Sequence, residues 1–444
     1  MRDIGKSRRK RSRPITFDLD VPEPCTVPSS VVDIGQNGIN ENCVGLLGTH
    51  VAKTLHPYGY YAVEPDERAR QLFHFMTGSA GDLYRPFRLE WFATAVADRC
   101  SFYLCLANGA MFYHRTIAGG SYEYSDYEES ANYFSCCTSL LARRLGCPGE
   151  GVSEGVINTV LGFLCHDAAV GKMDRWSIHM AGLRLIVQLR QGFNGLSHLT
   201  HMFAFWFELT GCAILDTAPR FPIPVGLPLG SLSNCELSPT LTRTISTLAI
   251  LGSPHLLEAC RGLKQTASVA DFLNNNGHEP QFWEDGMGAT RVLGPAAHCA
   301  LSIPRMTSEA FAPTDTSAEV LCEMVRLALL LLVAKIKGAF SLIAGEMVPL
   351  QRKFEDMLPL VPDAFGLCPE LVIWCVIAVT CSHKRETRHS LTSAIRYAMA
   401  RMSMSTAAEA IEVAKTIIWV EKTMAAESED LILDIQSAPR VDDT

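Results

Sequence analysis

Cys165, His166 and Asp167 are the residues of this chain that come nearest to a catalytic triad, because they offer a thiol, an imidazole and a carboxylate in succession. Neighbouring positions on a helix point about 100° apart, so the three side chains cannot face one another. This triple is therefore not expected to act as a nucleophilic site by itself.

His179 is a sharper candidate, because it lies three residues after Trp176 and three before Gly182 in a helical pattern. A histidine in such a place could contact a ligand. The favoured interpretation is a core histidine that hydrogen-bonds across helices.

Carboxylates that could approach a cavity occur at Asp98, beside Arg99, and at Glu208 and Asp216. Single charged residues in long helices are usually solvent-facing or paired, and we expect that of these three. The sequence has no His-Glu-x-x-His and no phosphate-binding Gly-rich loop. The pattern favours a non-enzymatic protein with no catalytic residue and no cofactor.

The chain has sixteen cysteines. A zinc cluster needs Cys-x-x-Cys pairs, since two thiolates at that spacing can wrap a tetrahedral ion, and the sequence contains none. Cys165 and Cys375 instead lie in apolar helical patterns, and free cysteine is a common core residue in reducing compartments. We predict unligated thiols, most of them buried, and no metal site.

An apolar helix would position His179. Its apolar residues recur at steps of three and four: Met173, Trp176, Met180, Leu183 and Val187. Leu185, Ile186 and Leu189 widen this stripe, which predicts a helix packed on more than one side. Gly192 should end this helix, since glycine reaches the left-handed conformation without steric cost. Gly182 should weaken it by roughly 1 kcal/mol relative to alanine, and we interpret that glycine as a close crossing with a neighbouring helix.

Similar patterns along the chain predict an all-α fold, a large multi-helix domain. Helices are expected over 67–75, 88–114, 127–145, 153–169, 176–190, 198–216, 239–251, 254–272, 318–337, 349–357, 369–382, 390–402 and 406–425. Ser153 is a plausible N-cap, and Thr406 with Glu409 matches a capping box. The polar stretch 274–316 is predicted to be a surface loop with short turns.

Composition divides the chain into three parts. Apolar residues make up 48% and charged ones 19%, which supports a globular body with a sizeable core. We expect a disordered basic segment over 1–65, a helical domain over 66–426 and an acidic tail over 427–444. The tail resembles a short acidic-hydrophobic activation segment in composition, although a frayed helix end followed by a solvated tail is favoured.

A dense basic cluster opens the chain: Lys6, Arg8, Arg9, Lys10, Arg11 and Arg13. Residues 1–13 hold seven basic residues and one acid, a net charge of +6, so the rest carries −14 of the overall −8. The cluster predicts a nuclear-import signal, with a solvated tail or direct phosphate contact as alternatives.

The acidic body argues against broad adhesion to DNA or to anionic membranes. The best candidate for a helix that reads base edges is the basic run from His383 to Arg401. The longest apolar runs, 327–334 and 371–379, fall short of the roughly twenty residues that a membrane span requires.

The stretch from Trp176 to Leu196, here called the signature segment, resembles the characteristic helix of the fungal-specific transcription factor domain. That pattern has a Trp, a His three on, a Gly three further, then Arg-Gly-Gly and a Leu. The matching residues are Trp176, His179, Gly182, Arg190, Gly192 and Leu196, while Gln191 replaces the first glycine. Further pieces agree in order, so that the resemblance spans roughly 70 to 425: 153–168, Pro219, Arg220 and Phe221, Pro369-Glu370-Leu371 with Trp374, and Ile417-Ile418-Trp419.

This resemblance implies a nuclear transcription regulator whose zinc cluster is missing from the chain. Its helical domain would relay signals by binding regulatory or transcription-machinery proteins or a small effector. It could be a co-regulator, a partner that dimerises with an intact zinc-cluster factor, or the product of an incomplete gene model. DNA contact would be indirect, or weak through the basic segment. The alternative is a helical metabolic enzyme or small-molecule-binding protein, which a polar cluster converging in a deep pocket would favour.

Overall fold

Every regular element that the computed structural model describes is a helix. The described residues are 61–78, 87–227, 236–306 and 316–437. Across these ranges lie seventeen α-helices and several short 3-10 helices, and the same ranges contain no strand. The predicted all-α fold class is confirmed.

The helices are numbered here in chain order. The first group is α1 (Glu67–Gly78), α2 (Arg88–Ala95), α3 (Arg99–Ala118), α4 (Glu128–Leu145), α5 (Glu154–Ala169), α6 (Met173–Leu189) and α7 (His198–Leu215). The second group is α8 (Pro239–Ile250), α9 (Pro254–Asn276), α10 (Gly286–Ser302), α11 (Thr316–Ala339), α12 (Met347–Asp356), α13 (Val361–Phe365), α14 (Pro369–Ser382), α15 (His389–Arg401), α16 (Ala407–Lys415) and α17 (Glu421–Ser437).

Helix α3 is the centre of the first group and packs against α1, α4 and α5. From Cys100 to Phe112 all of its side chains except half-buried Tyr103 are buried. The helix begins where the Asp98 carboxylate accepts hydrogen bonds from the N–H groups of Cys100 and Ser101. This cap separates α3 from α2, so the single helix predicted over 88–114 is two helices.

Helices α11 and α14 form the centre of the second group and pack against each other. The two longest apolar runs of the sequence, 327–334 and 371–379, lie in them and are buried throughout. Trp374 on α14 donates its indole N–H to the carbonyl of Ile418 at 2.7 Å. No helix in the described ranges is long and apolar enough to cross a membrane.

Helix α10 lies inside the stretch 274–316 that was predicted to be a loop, and that prediction is wrong. Pro295 occupies the interior of this helix, where the missing N–H and the ring normally break helical structure. Leu293, Ala296 and Ala300 are nevertheless buried as α10 packs against α7, α9 and α11. Burial in the core therefore outweighs the local signals of proline and glycine.

The end of the chain also differs from the prediction. The helix expected over 406–425 is interrupted at residues 416–420, where Ile417, Ile418 and Val420 are buried. Thr406 caps α16 as predicted, since its hydroxyl accepts a hydrogen bond from the N–H of Glu409 at 3.3 Å. Helix α17 then crosses the expected boundary between residues 426 and 427, with Leu431 buried.

Candidate regulatory site

The signature segment forms α6 and the turn that follows it. Trp176, Met180, Leu183 and Val187 are buried on one side of the helix, as their spacing predicted. Leu185 and Leu189 are exposed, so the predicted packing on more than one side is wrong. The close approach between α6 and its neighbour occurs at Gly211 on α7, where an added Cβ would lie 1.9 Å from Cζ2 of Trp176. Gly182 is exposed, and no atom of the described chain would lie within 4 Å of a Cβ there. The predicted crossing at Gly182 is therefore wrong.

Helix α6 ends in a Schellman motif. Gln191 has a φ of 61°, and Gly192 follows with a φ of 117°. The N–H of Gly192 donates to the carbonyl of Val187 at 2.9 Å, and the N–H of Gln191 donates to that of Gln188 at 3.0 Å. Gly192 takes part in the helix stop as predicted, but Gln191 occupies the first left-handed position, which suits glycine better.

Arg190 holds this turn against the first group of helices. Its guanidinium donates to the carbonyl of Val152 at 2.5 Å and to that of Asn194 at 3.1 Å. These carbonyl oxygens lie on either side of α5 and α6 in the sequence. The signature arginine is thus a positioning residue for the loops around the helix.

His179 makes a hydrogen bond between helices. Its Nδ1 lies 2.8 Å from Oδ2 of Asp167 on α5, and its ring stacks on Phe163 at a centroid distance of 5.0 Å. Arg175 donates to the other oxygen of Asp167 at 2.9 Å and to Glu123 at 2.8 Å. The predicted bond across helices is confirmed, although the imidazole is half-buried and not part of the sealed core.

The consecutive triple at 165–167 is divided between separate environments. The carboxylate of Asp167 faces Arg175 and His179. The ring of His166 lies 4.9 Å from that of Tyr124, and burial lowers the pKa of His166 to about 4. Burial also raises the pKa of the Cys165 thiol to about 12. A thiol with a raised pKa is protonated at neutral pH and is therefore a poor nucleophile.

Glu208 on α7 joins the signature helix to the Pro219-Arg220-Phe221 segment. The carboxylate is fully buried, and one of its oxygens accepts from Nε and Nη2 of Arg184 at 2.9 and 2.7 Å. The other oxygen accepts from the backbone N–H groups of Arg220 at 3.1 Å and Phe221 at 2.6 Å. Two pieces of the family pattern therefore meet at one carboxylate, which the sequence predicted to be solvent-facing or paired without indicating these partners.

Phe221 completes this junction. Its ring packs edge-on against Phe193 of the signature segment, with centroids 5.0 Å apart, and it is buried. Pro219 precedes it in a non-helical connection after α7. The sequence did not show that the signature segment and the Pro219-Arg220-Phe221 piece are in contact, because the whole of α7 separates them in the chain.

Asp216, which follows α7, joins the two groups of helices. Arg326 on α11 donates to it at 2.6 Å and to Glu323 at 2.6 Å, and Arg326 is fully buried. Arg305 donates to Asp216 at 3.2 Å, and Lys353 on α12 forms a further ion pair with it. Burial alone would raise the pKa of Asp216, but the hydrogen bonds and charges of Arg326 and Lys353 hold it well below its usual range.

The third carboxylate considered from the sequence, Asp98, pairs with Arg144 at 2.5 Å in addition to capping α3. All three carboxylates are therefore paired, as expected. They stabilise contacts between helices and do not converge on one another.

A cleft of about 320 Å³ lies between α8, α9 and residues 415–419. Its apolar lining includes Leu241, Ala267 and Trp419, and its exposed carboxylates are Glu236 and Asp271. Its hydroxyl and its lysine are engaged elsewhere, because Ser238 caps α8 and donates to the carbonyl of Thr416, and Lys415 pairs with Glu412 at 2.8 Å. The cleft therefore offers little support for the enzyme alternative.

Most described cysteines are buried, as predicted: the buried ones are Cys100, Cys105, Cys137, Cys212, Cys260, Cys322, Cys368, Cys375 and Cys381. Within the described ranges, no group of three or more histidine, cysteine, aspartate or glutamate residues is placed to hold a metal ion.

The structure describes only one of the two basic stretches singled out in the sequence. Lys6, Arg8, Arg9, Lys10, Arg11 and Arg13 lie outside the described residues. In the basic run from His383 to Arg401, Arg385 pairs with Asp434 at 2.7 Å, and Arg388 is buried. Arg396 donates to the carbonyl of Ile435 at 2.7 Å. Helix α17 thus engages Arg385 and Arg396, whereas Lys384 and Arg401 of the run are exposed.

Comparison with known proteins gives one match. Residues 70–234 match the model of a family described as the fungal specific transcription factor domain. This range contains α2 to α7, the signature segment and the Pro219-Arg220-Phe221 piece, whereas residues 235–425 of the expected resemblance lie outside it. Searches of curated proteins and of solved structures found no match. The resemblance carried by Trp176, His179 and Gly192 is confirmed, since residues 70–234 are similar to the fungal specific transcription factor domain.

Proposed function

We propose that this chain is a non-enzymatic nuclear transcription regulator that acts by binding partner proteins or an effector. The observation that carries the proposal is the similarity of residues 70–234 to the fungal specific transcription factor domain. A regulator of this kind needs a rigid helical body and accessible surface, and it needs no bond-breaking chemistry.

The environment of the polar residues supports a non-enzymatic function. Asp167, Glu208 and Asp216 each have at least one arginine partner within 3.0 Å. Catalytic acids and bases instead need a free face towards a substrate and a pKa near the working pH. The carboxylates of this domain are used to connect helices.

Charge supports an indirect relation to DNA. The chain without residues 1–13 has a net charge of −14, and α17 engages Arg385 and Arg396 of the basic run from His383 to Arg401. Phosphate neutralisation requires clustered lysine and arginine. We therefore infer that the domain contacts other proteins at a promoter, and that Lys6 to Arg13 direct import into the nucleus.

Recruitment of the full chain to a promoter tests this function. The chain would be fused to a heterologous DNA-binding domain in a fungal host that carries a reporter with the matching operator. We expect reporter transcription to rise or fall several-fold relative to the DNA-binding domain alone. A fusion with an unrelated helical protein of similar size is the control. Unchanged transcription from a well-expressed fusion would contradict the proposal.

Localisation provides a second readout. A fluorescent fusion of the full chain should accumulate in the nucleus, and replacement of Arg8, Arg9, Lys10 and Arg11 by alanine should reduce that accumulation. Lys335, Lys337 and Lys353 pair with carboxylates in the helical body, so they provide no comparable cluster. Equal nuclear signal from the two fusions would refute the import function of the basic cluster.

A further inference from the structure

The cleft of about 320 Å³ beside α8 and α9 has walls that hydrogen bonds hold in place. The Asn274 side chain on α9 donates to the carbonyl of Trp419 at 2.8 Å and accepts from the N–H of Glu421 at 2.9 Å. From α14, Trp374 donates to the carbonyl of Ile418 at 2.7 Å. Because the fold already fixes these walls, a ligand would require little further ordering of the chain.

The floor of the cleft is apolar. Leu241, Ala270 and Ile417 line it, and all three are buried. The indole ring of Trp419 also lines it, fixed by the hydrogen bond that its N–H donates to Glu421 at 2.7 Å. The volume of the cleft is near the lower end of the roughly 300–1,000 Å³ that small-molecule sites occupy. The cleft therefore suits a compact apolar group, such as one indole ring system.

The rim of the cleft presents two carboxylates to a ligand. Glu236 and Asp271 are exposed, and neither forms an ion pair with any of the described residues. Asp271 accepts a hydrogen bond from the neutral amide of Asn275 at 3.1 Å. Of the described lining residues, Lys415 is the only cation, and Glu412 offsets its charge at 2.8 Å. The uncompensated charge at the rim is therefore negative.

We propose that this cleft binds a small organic cation, an amine with a compact apolar body. The apolar body lies on the floor of the cleft, and the ammonium group lies at the rim near Glu236 and Asp271. The cleft already accommodates an ammonium beside an aromatic ring, because Nζ of Lys415 lies 5.7 Å from the ring centroid of Trp419. An aromatic ring next to two carboxylates favours a cation over a neutral or anionic analogue of the same shape.

This amine would be the effector of the proposed function, and the inference rests on that function only for the consequence of binding. The cleft is lined by residues between 236 and 419, outside the range 70–234 that matches the family. Binding is measured on the purified full chain, whereas regulation is measured as reporter transcription. A failure of ligand binding is therefore distinguishable from a failure of the regulatory function.

Titration with three indole compounds, followed by ligand-observed NMR, is the first test. Tryptamine carries an ammonium group, tryptophol is its neutral analogue and indolepropionate is an anionic one. We expect tryptamine to bind the full chain with a dissociation constant on the order of 1 mM. Tryptophol should bind about threefold more weakly and indolepropionate about tenfold more weakly, because the carboxylates at the rim are exposed and partly screened. No binding of tryptamine, or equal affinity for the three compounds, overturns the proposal.

Two substitutions of opposite sign locate the binding site. Asp271→Asn removes a rim carboxylate and should weaken tryptamine binding about threefold, whereas Lys415→Gln removes a competing ammonium and should strengthen it by a similar factor. Both side chains are exposed, so the thermal unfolding midpoints should stay close to that of the wild type. Glu429→Gln and Lys384→Gln are the matched controls, since they change the net charge equally at exposed positions that do not line the cleft. If Asp271→Asn and Lys415→Gln shift the affinity in the same direction, or no more than their controls do, the proposal is overturned.

Discussion

The indole ring of Trp176 occupies the space that a side chain at residue 211 would need. An ideal Cβ on Gly211 would lie 1.9 Å from Cζ2 and 2.2 Å from Cε2 of the ring. Trp176 is only 2% exposed, so the ring cannot move into solvent to make room. The signature tryptophan of α6 therefore requires glycine on α7, and this pair fixes how closely the two helices pack.

The first prediction compares the two glycines of this region. Gly211→Ala should lower the free energy of unfolding by about 1–3 kcal/mol, because overpacking forces the ring or the backbone to shift. Gly182→Ala should raise it by about 0.5–1 kcal/mol, because alanine is the better helix former at an open site. Urea unfolding measures both. Equal losses for the two variants would show that Gly182 is also packed.

The second prediction concerns Glu208. Glu208→Gln keeps the shape of the side chain but removes the negative charge that Arg184 and two backbone N–H groups share. We expect a loss of about 2–4 kcal/mol in unfolding free energy, since buried donors lose their partner. Glu370→Gln is the control, because Glu370 meets Arg243 at 3.4 Å near the surface and should change stability by less than about 0.5 kcal/mol. If Glu208→Gln lowered the unfolding free energy as little as Glu370→Gln does, Glu208 would not stabilise this junction.

Much of the fold could be predicted because the relevant signals are local. The apolar run and the proline at N1 placed α14 at Pro369–Ser382, and the Thr406 capping box placed the start of α16. Periodic burial along a helix is visible within a window of a few turns. Trp176 was likewise recognised as a buried end of the signature helix.

The remaining features depend on residues that are distant in the sequence. Pro295 signals a helix break locally, and only packing against three other helices explains why α10 persists. Gly182 and Gly211 are both mid-helix glycines in the sequence, so which one meets Trp176 depends on the rotation of α6. The same holds for Glu208, whose four donors come from α6 and from the segment after α7.

The third prediction compares two changes in the ion-pair network of Asp216: loss of its own charge, which affects buried Arg326, and loss of its exposed partner Lys353. Asp216 has a φ of 49°, a conformation that asparagine tolerates, so Asp216→Asn isolates the loss of charge. Arg326 would then remain buried with less compensation, and unfolding free energy should fall by about 3–5 kcal/mol. Lys353 is 42% exposed, and Lys353→Met should cost less than about 1 kcal/mol. Calorimetry that ranks the two variants in the opposite order would contradict this account of the network.

The fourth prediction is a pH dependence from His166. Burial lowers its pKa in the folded chain to about 4, below the ordinary value of 6.5. Between these values the unfolded chain binds a proton that the folded chain does not, so stability falls as pH decreases from 6.5 towards 4. The full difference corresponds to roughly 3 kcal/mol at about 1.4 kcal/mol per pH unit. Urea unfolding at pH 7.0, 6.0 and 5.0 measures the slope.

His166→Phe provides the comparison for this slope, since it keeps a ring beside Tyr124 and cannot titrate. The slope between pH 5 and pH 7 should decrease, whatever the change in absolute stability. Some dependence should remain, because burial also lowers the pKa of His201 and His298. An unchanged slope in the variant would mean that His166 is not kept neutral by the fold.

The fifth prediction concerns DNA binding. Non-specific affinity comes from lysine and arginine that neutralise phosphates and release counterions. Helix α17 engages Arg385, just before α15, and Arg396 on α15, and the chain without residues 1–13 has a net charge of −14. We therefore expect the chain without residues 1–20 to show no gel shift near physiological salt. The full chain should bind weakly, without sequence preference, and lose affinity steeply as salt rises. Random and promoter duplexes should give the same result. Sequence-selective binding by the truncated chain would show that the helical body itself reads DNA.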